Sequence, residues 1–442
     1  MTNPFLPYHP MDISSRYFSR LKSPSLYWPV YLWHFLEAIR RVGKQRELIS
    51  FALWEVIHRL RLYQFRNQYL KFTDAPYQIL TGERDWPSQQ DIPGLAFRPV
   101  AVDWKYCLET PSGLLWGSCF SDPNALYRSN DQSQSATLQY RFPRPITSLF
   151  MSSQNTLFVC SDGAIHRSDD LGHSFSVVVR LSTPISYFLF NNGMTELPDG
   201  TLLIGEYGSI WHGRAWQNLA YLYYSTDAGQ TWTTSDFLLR QGVNKHIHLV
   251  QYSPLLNALF LMDGDNKKQA WINADLSYFD RQSTTRTDGW RLLNRHHHQT
   301  GGYTSMSETK EAVLFGSDYL GGTNFMIRTK DGYQFERFVL PDPYRRSPIM
   351  NMMSRETTTG TEIWAMSYSC LSTKDKSLLM YTKDSGKTWL RVLELDGTKN
   401  EVRLVNSSRR PSDTLYISIT TFDCQLKKHR HKAYRLESHV SS

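Results

Sequence analysis

His246 and His248, in the run Lys245-His246-Ile247-His248, are the residues of this sequence best spaced for chemistry. Side chains alternate along an extended strand, so both imidazoles would leave one side. Such a pair suits a general base or two ligands of a divalent metal. Carboxylates recur at a comparable station in four runs: Ser161-Asp162-Gly163, Gly205-Glu206-Tyr207, Asp263-Gly264-Asp265 and Gly316-Ser317-Asp318. Asp beside Gly is ordinary hairpin chemistry, which accounts for Asp162. Glu is a poor turn former, so Glu206, with Asp265 and Asp318, is a candidate for acid or base work. Tyr207, Tyr303 and Tyr319 could supply a phenol for proton transfer or a ring to stack on a sugar. A second group, His296-His297-His298 before Gly301-Gly302-Tyr303, reads as a solvated loop.

An octet repeated along the chain indicates what positions these groups. Ser225-Thr226-Asp227-Ala228-Gly229-Gln230-Thr231-Trp232 fits S-x-D-x-G-x-[TS]-[WF], as does the run from Ser168 to Phe175, and the run from Thr382 to Trp389 differs only in its first residue. Altered copies begin at Ser129, Asn273 and Thr329. Within the octet, Asp can hydrogen-bond the amides of its own turn, Gly supplies a positive φ, and the aromatic closes a small core. First residues at 129, 168, 225, 273, 329 and 382 give intervals of 39, 57, 48, 56 and 53 residues, the period of a four-stranded blade with variable loops. The expected fold is mainly β: a β-propeller of seven blades, alternatively six, with an amino-terminal α-helical extension.

Blades are expected near 100–141, 145–180, 187–238, 245–294, 301–339 and 348–394, with an incomplete seventh in the remainder. A strand from the linker at 73–99 could close the ring and remove its open edges. Blade strands run A to D from centre to rim, so the octets fall in C–D turns on one face. The carboxylates at the ends of B strands and the imidazoles at the start of an A strand share the other face.

Composition narrows the alternatives. The 442 residues suffice for one large domain, and repeats favour that over several small ones. Five Cys with no C-x-x-C pair argue against a structural zinc site or a disulfide framework. Of the net charge of +8, residues 1–72 carry +7, from eleven Lys or Arg against four Asp or Glu. The propeller at 100–442 is therefore close to neutral and reads as no sequence-specific nucleic-acid module. No basic segment followed by an apolar stretch opens the chain, so cytoplasmic residence is the expectation. Two helices are expected between Ser23 and Phe72, broken near Gly43; the first, about Leu26 to Arg41, is aromatic and ends in Arg40-Arg41. An amphipathic helix of that kind packs on its own protein or lies peripherally on a membrane surface or partner protein.

The octets resemble those called Asp boxes or BNR repeats, and residues from about 100 to 436 resemble the sialidase-like propeller superfamily. More narrowly, LPDGTLLIGEYG, HIHLVQYSP and MDGD look like a subgroup of bacterial BNR-repeat proteins labelled sialidase-like or glycosyl hydrolase. The sialidase resemblance implies three arginines for a substrate carboxylate, a Tyr and Glu nucleophile pair and an Asp acid/base. Tyr140-Arg141-Phe142-Pro143 is similar to the motif carrying the first arginine, although its closeness to the first octet sets it on an outer strand. Propeller polysaccharide lyases, which use His, Tyr and Arg around an acidic sugar, sometimes with a metal, are similar in residue type to His246, His248 and Tyr207. The expected function is thus a carbohydrate-active propeller that acts on or binds a poly- or oligosaccharide as a hydrolase or lyase. Its site residues would be Glu206, Tyr207, His246, His248, Asp265 and Asp318, with a divalent metal at His246 and His248 as the cofactor to test. The alternative is a non-catalytic glycan- or protein-binding scaffold docked to a membrane or assembly by its amino-terminal helices.

Overall fold

Short apolar runs closed by Gly-, Asp- or Ser-rich turns are too brief for helices and fold as strands. A computed structural model of the chain describes residues 26–41, 68–81, 94–210, 217–243, 245–264, 269–274, 289–294, 302–407, 412–423 and 428–438, with scattered residues between 45 and 60 and at 87 and 276. The strands form seven sheets, each with four antiparallel strands, the blades of a seven-bladed β-propeller. Six blades are continuous in sequence, running from Trp104 to Arg141, Ile146 to Arg180, Met194 to Ser235, Ile247 to Asn294, Tyr303 to Val339 and Ile349 to Leu395.

The seventh blade draws on both ends of the fold. Its inner three strands are Asn400–Leu404, Leu415–Asp423 and Lys428–Ser438, and its outer strand is Leu95–Val100, paired from Leu95 opposite Ser438 to Val100 opposite Ala433. This seam leaves no open edge between the first and last blades. Upstream, Gln68–Tyr69 lies parallel to the outer strand of blade five and Gln78–Leu80 parallel to that of blade six. The segment covers two rim edges like a belt, burying Leu70 and Leu80.

Among the described residues, seven apolar clusters fill the seven gaps between neighbouring blades. The octet turns lock into these gaps. In the Ser225 octet, Thr231 donates backbone and side-chain bonds to Asp227, while Gly229 N–H donates to Ser225 Oγ at 2.8 Å. Gly229, at φ +82°, has no room for a side chain: a Cβ would lie 2.4 Å from the ring of Phe158 in the preceding blade. The same hydrogen-bond pattern holds at Asp170 and Asp384. It also survives at Asp131, where Ser133 occupies the glycine station at φ +70°. Most of the copy that begins at Asn273 lies outside the described residues.

Five inner strands share a bulge after their first residue, between Trp104 and Tyr106, Ile146 and Ser148, Ile247 and Leu249, Tyr303 and Ser305, and Ile349 and Met350's successor Asn351. A bulge leaves one residue out of the ladder and re-aims its side chain. Here those residues are Lys105, Thr147, His248, Thr304 and Met350. They sit at the channel end where B–C and D–A connections meet, called the upper face below.

The expected first helix is present as Trp28–Arg41, with Arg40 and Arg41 in its last turn. Phe35 is buried, whereas Trp28, Val30, Leu32, Trp33 and Leu36 are exposed. Most of the expected second helix lies outside the described residues. Among the described residues no helix is long and apolar enough to cross a membrane.

Candidate functional site at the upper channel mouth

The inner strand of blade four, Ile247–Ser253, and the residue before it bring His246 and His248 together, with a bulge setting His248 outside the ladder. The rings are nearly parallel, 4.9 Å apart and inclined by 23°, and their Nε2 atoms approach to 3.0 Å. Gly264 makes this possible, since a Cβ there would meet both imidazoles at 2.4 Å. The carbonyl of Gly208, 2.5 Å from His246 Nδ1, can only accept, so that nitrogen carries hydrogen and a neutral His246 must accept at Nε2. His248 then donates from its own Nε2. Its Nδ1 faces Asp318 Oδ2 at 3.6 Å and forms an ion pair with it when the ring is doubly protonated. Asp318, His248 and His246 thus stand in a row, called the relay below, in which only the contact between the two imidazoles is at hydrogen-bond distance. Tyr207 covers it, its ring 4.1 Å from His246 and 5.7 Å from His248. Both imidazoles are buried; Tyr207 and Asp318 are half-buried and face outward.

Glu206 follows a different course. Its carboxylate, fully buried, accepts bonds from Ser182 Oγ at 2.7 Å, Ser186 Oγ at 2.6 Å and Tyr223 OH at 2.7 Å, with Ser182 N–H at 3.2 Å. It ties blade three to the connection from blade two. Burial, then the Glu206 charge, push the Tyr223 phenol upward. Asp162 occupies its turn at φ +53°. Tyr303 is buried against Phe315 in the gap between blades four and five, and Tyr319 packs over Gly322. Asp265 and His296 to His298 lie outside the described residues. Arg141 stands on the outer strand Thr137–Arg141, where it grips Asp122 through two bonds of 2.9 and 2.7 Å.

Sequence reasoning missed the cations opposite the relay. Arg403, on the inner strand of blade seven, donates from Nε to Glu401 at 2.7 Å. Its side chain is 43% exposed. Burial opposes its charge most, but the charge and hydrogen bond of Glu401 together with Tyr106 and Tyr368 carry the net shift upward. Lys105 reaches Ile146 O at 3.3 Å and lies 5.0 Å from the Tyr106 ring. Burial, followed by repulsion from Arg403, lowers its amine to about 8. Burial also raises the phenols of Tyr106, Tyr187 and Tyr368, each of which feels the Arg403 charge. Tyr187 completes the arc, 5.1 Å from the Tyr207 ring. The mouth therefore runs from Arg403 and Lys105 through Tyr106, Tyr187 and Tyr207 to the relay. One signal could have exposed Lys105: it follows the first inner-strand residue of its blade, as His248 does.

The Nε2 atoms of His246 and His248, which a metal would use, bond each other. Among the described residues no group of three or more His, Cys, Asp or Glu side chains is arranged to hold an ion.

No family model and no curated protein matches this chain. Solved structures do. Virginiamycin B lyase from Staphylococcus aureus, in an inactive H270A form with quinupristin, aligns over 78% of this chain and 99% of its own at 14% identity, with a TM-score of 0.51. YCF48 bound to D1 peptide aligns over 80% of this chain and 99% of its own at 11% identity and a TM-score of 0.48. A gluconolactonase from Xanthomonas campestris aligns over 84% of this chain and 97% of its own at 11% identity and a TM-score of 0.39. At 14% identity the likeness to virginiamycin B lyase is one of fold alone, the propeller scaffold.

Proposed function

We propose that the upper mouth binds an acidic polysaccharide and cleaves it by β-elimination beside a uronate carboxylate. The observation that carries this reading is the placement of two cations, Arg403 and Lys105, across one aromatic-lined mouth from a proton relay that ends at Asp318. Arg403 and Lys105 would neutralise the sugar carboxylate, stabilising charge that develops on it as the neighbouring C5–H proton leaves. Asp318 would take that proton and pass it to His248, where the imidazolium is held between Asp318 and the His246 acceptor. The C5–H electron pair becomes the C4–C5 double bond, the C4–O glycosidic bond breaks, and the departing oxygen takes the Tyr207 phenol proton. In this scheme His246 is a positioning residue.

A hydrolase would need two carboxylates flanking the scissile bond. Glu206, enclosed by its four donors, supplies neither, which favours elimination.

The test is to incubate the purified protein with polygalacturonate, alginate, glucuronan and heparosan, following unsaturated-uronate absorbance and new reducing ends together. Both signals should appear, and Asp318→Asn and Tyr207→Phe should each lower them at least a hundredfold with the melting temperature within a few degrees. Reducing ends without absorbance would point to hydrolysis and overturn the elimination.

A second reading, a non-catalytic propeller docked to a membrane, is favoured by the exposed Val30, Leu32, Trp33 and Leu36 beside Arg40 and Arg41. Flotation with anionic vesicles, lost on Trp33→Ala with Leu36→Ala, would support it; equal flotation of wild type and variant would remove it.

A further inference from the structure

The connection from blade two to blade three takes a path across the channel. Its residues 187–193 form a strap that touches all seven blades. Ser148 Oγ of blade two donates to Phe188 O, and the Phe190 ring lies 4.8 Å from Tyr106 of blade one. Gly193 O accepts from Gly205 N–H of blade three at 2.8 Å, and Asn192 O accepts from Val250 N–H of blade four at 2.8 Å. Asn192 Nδ2 donates to Thr304 O of blade five at 2.8 Å. Asn191 Nδ2 reaches Asn351 Oδ1 of blade six at 3.3 Å and, at 2.6 Å, the carbonyl of Asn406 just after the inner strand of blade seven. Asn191 O accepts in turn from Gln251 Nε2 at 3.0 Å. Asn191 adopts φ +74°, which Asn tolerates, and Gly193 N–H closes the turn on Leu189 O at 2.7 Å.

The strap closes the channel directly beneath the mouth. Thr304 is itself a residue its bulge passes over, Asn351 follows Met350, which is passed over in blade six, and Asn406 pairs with Cys107, two residues beyond Lys105. At a rise of about 3.3 Å per residue, the floor therefore lies within about 7 Å of the level of Lys105 and His248. One sugar ring fits between them. The same segment builds part of the wall, since Tyr187 and Tyr207 exchange backbone bonds of 2.9 and 2.7 Å. Floor and phenol thus belong to one bonded piece, and the mouth opens only upward.

We infer that the mouth accepts only the reducing end of an acidic polysaccharide and shortens the chain by one residue at each turnover. The inference rests on the reading that the mouth cleaves such a chain by elimination. A chain threaded past the relay would have to continue down the channel, where the strap stands. An internal residue lowered from above would have to bring both neighbours back up between the same walls, a fold-back that rigid pyranose rings resist. A terminal residue has one neighbour, which leaves upward. With room for one ring above the floor, the residue that reacts is itself the terminal one, and its single link is the C4–O bond that breaks. Its C1 is therefore free, which makes it the reducing end. The C5–H proton goes to Asp318, the electron pair forms the C4–C5 double bond, and the departing oxygen leaves with the Tyr207 proton as the C1 hydroxyl of the shortened chain. The product is a single unsaturated uronate.

The test uses polygalacturonate, alginate and glucuronan, each ending in a uronate, as octamers and as long polymers. Calorimetry with full-length Asp318→Asn, which prevents turnover, should give one protein bound per chain at either length. Reducing the terminal residue to its open alditol with borohydride should weaken octamer binding at least tenfold. In a time course with the wild-type chain, the octamer should yield monomer and heptamer before any shorter oligomer. A stoichiometry that rises with chain length, binding indifferent to borohydride, or mid-sized oligomers among the first products would each overturn end recognition and leave the mouth standing. Failure of every octamer and polymer to bind at millimolar concentration would overturn the mouth as an acidic-sugar site, and end recognition with it.

Discussion

Lys105 and His248 occupy the same station of blades one and four: each is the residue that the inner-strand ladder passes over just after its first pair. The bulge removes both from regular pairing and turns both toward the upper mouth. One blade thereby contributes a cation and another an imidazole from equivalent backbone.

The amine of Lys105, lowered to about 8 by burial and by Arg403, gives the mouth a titration of its own. The lysine is charged below that pH and neutral above it. Affinity for an anionic ligand should fall several-fold as pH rises through about 8, and Lys105→Gln should flatten the profile. Stability runs the other way: the folded pKa lies below the unfolded value of 10.5, so the penalty is full below about 8 and is relieved as pH rises toward 10.5. Calorimetric binding across pH 6.5 to 9.5 would check the first, and melting temperature against pH the second.

Glu206 should matter for stability ahead of catalysis. Replacing this buried acceptor by Gln turns an acceptor-only group into one with an amide that meets hydroxyl donors, at a cost of about 1.5–3 kcal/mol. Chemical denaturation of Glu206→Gln, alone and with Tyr223→Phe, would measure it, the double variant recovering part of the loss. A variant with unchanged stability and no turnover would restore Glu206 to the chemistry.

Much of this was legible in the chain, and the reasons for the exceptions are local. The octets disclosed the blades because one turn geometry demands Ser or Thr, Asp and a residue tolerant of positive φ at fixed spacing. The imidazole pair was legible from its i, i+2 spacing, but the bulge that sets His248 outside the ladder was not. Arg403 was not, since blade seven carries no octet and a single arginine on a strand resembles any surface residue. Nor could sequence separate Glu206 from Asp318: the hydroxyl donors to Glu206 come from two segments, the connection holding Ser182 and Ser186 and the strand holding Tyr223, that only the fold brings together.

Two glycines separate backbone strain from the wedge between blades. Gly229 and Gly200 have similar angles, φ +82° and +87°, yet only Gly229 faces a ring; nothing lies within 4 Å of the Gly200 position. Gly229→Ala should therefore cost about 1–3 kcal/mol more than Gly200→Ala, the excess being overpacking against Phe158. Urea denaturation of the pair gives the difference directly.

Acid should loosen the turns. Hydrogen bonds from Thr231 and Ser135 hold Asp227 and Asp131 at about 2, below the ordinary 3.8, and Asp170, Asp331 and Asp384 shift the same way. Stability from these groups is complete above the unfolded value near 4 and is lost as pH falls toward 2. The melting temperature should drop steeply across that interval, and Asp227→Asn should shallow the drop while lowering the plateau at pH 7.

The seam of blade seven also sets a timetable for biosynthesis. Arg98 and Glu437, which meet across it, are 339 residues apart. At about 5–20 residues per second on the ribosome, the outer strand waits roughly 17–70 s for its partner. Blades one to six can assemble in that interval, each against the one before it, while the first blade keeps an uncovered flank and Leu95–Val100 remains an unmatched edge. Final registration thus waits until the strand ending at Ser438 has been made, with a long loop to close, and a ribosome that stalls before residue 438 releases an open, adhesive arc.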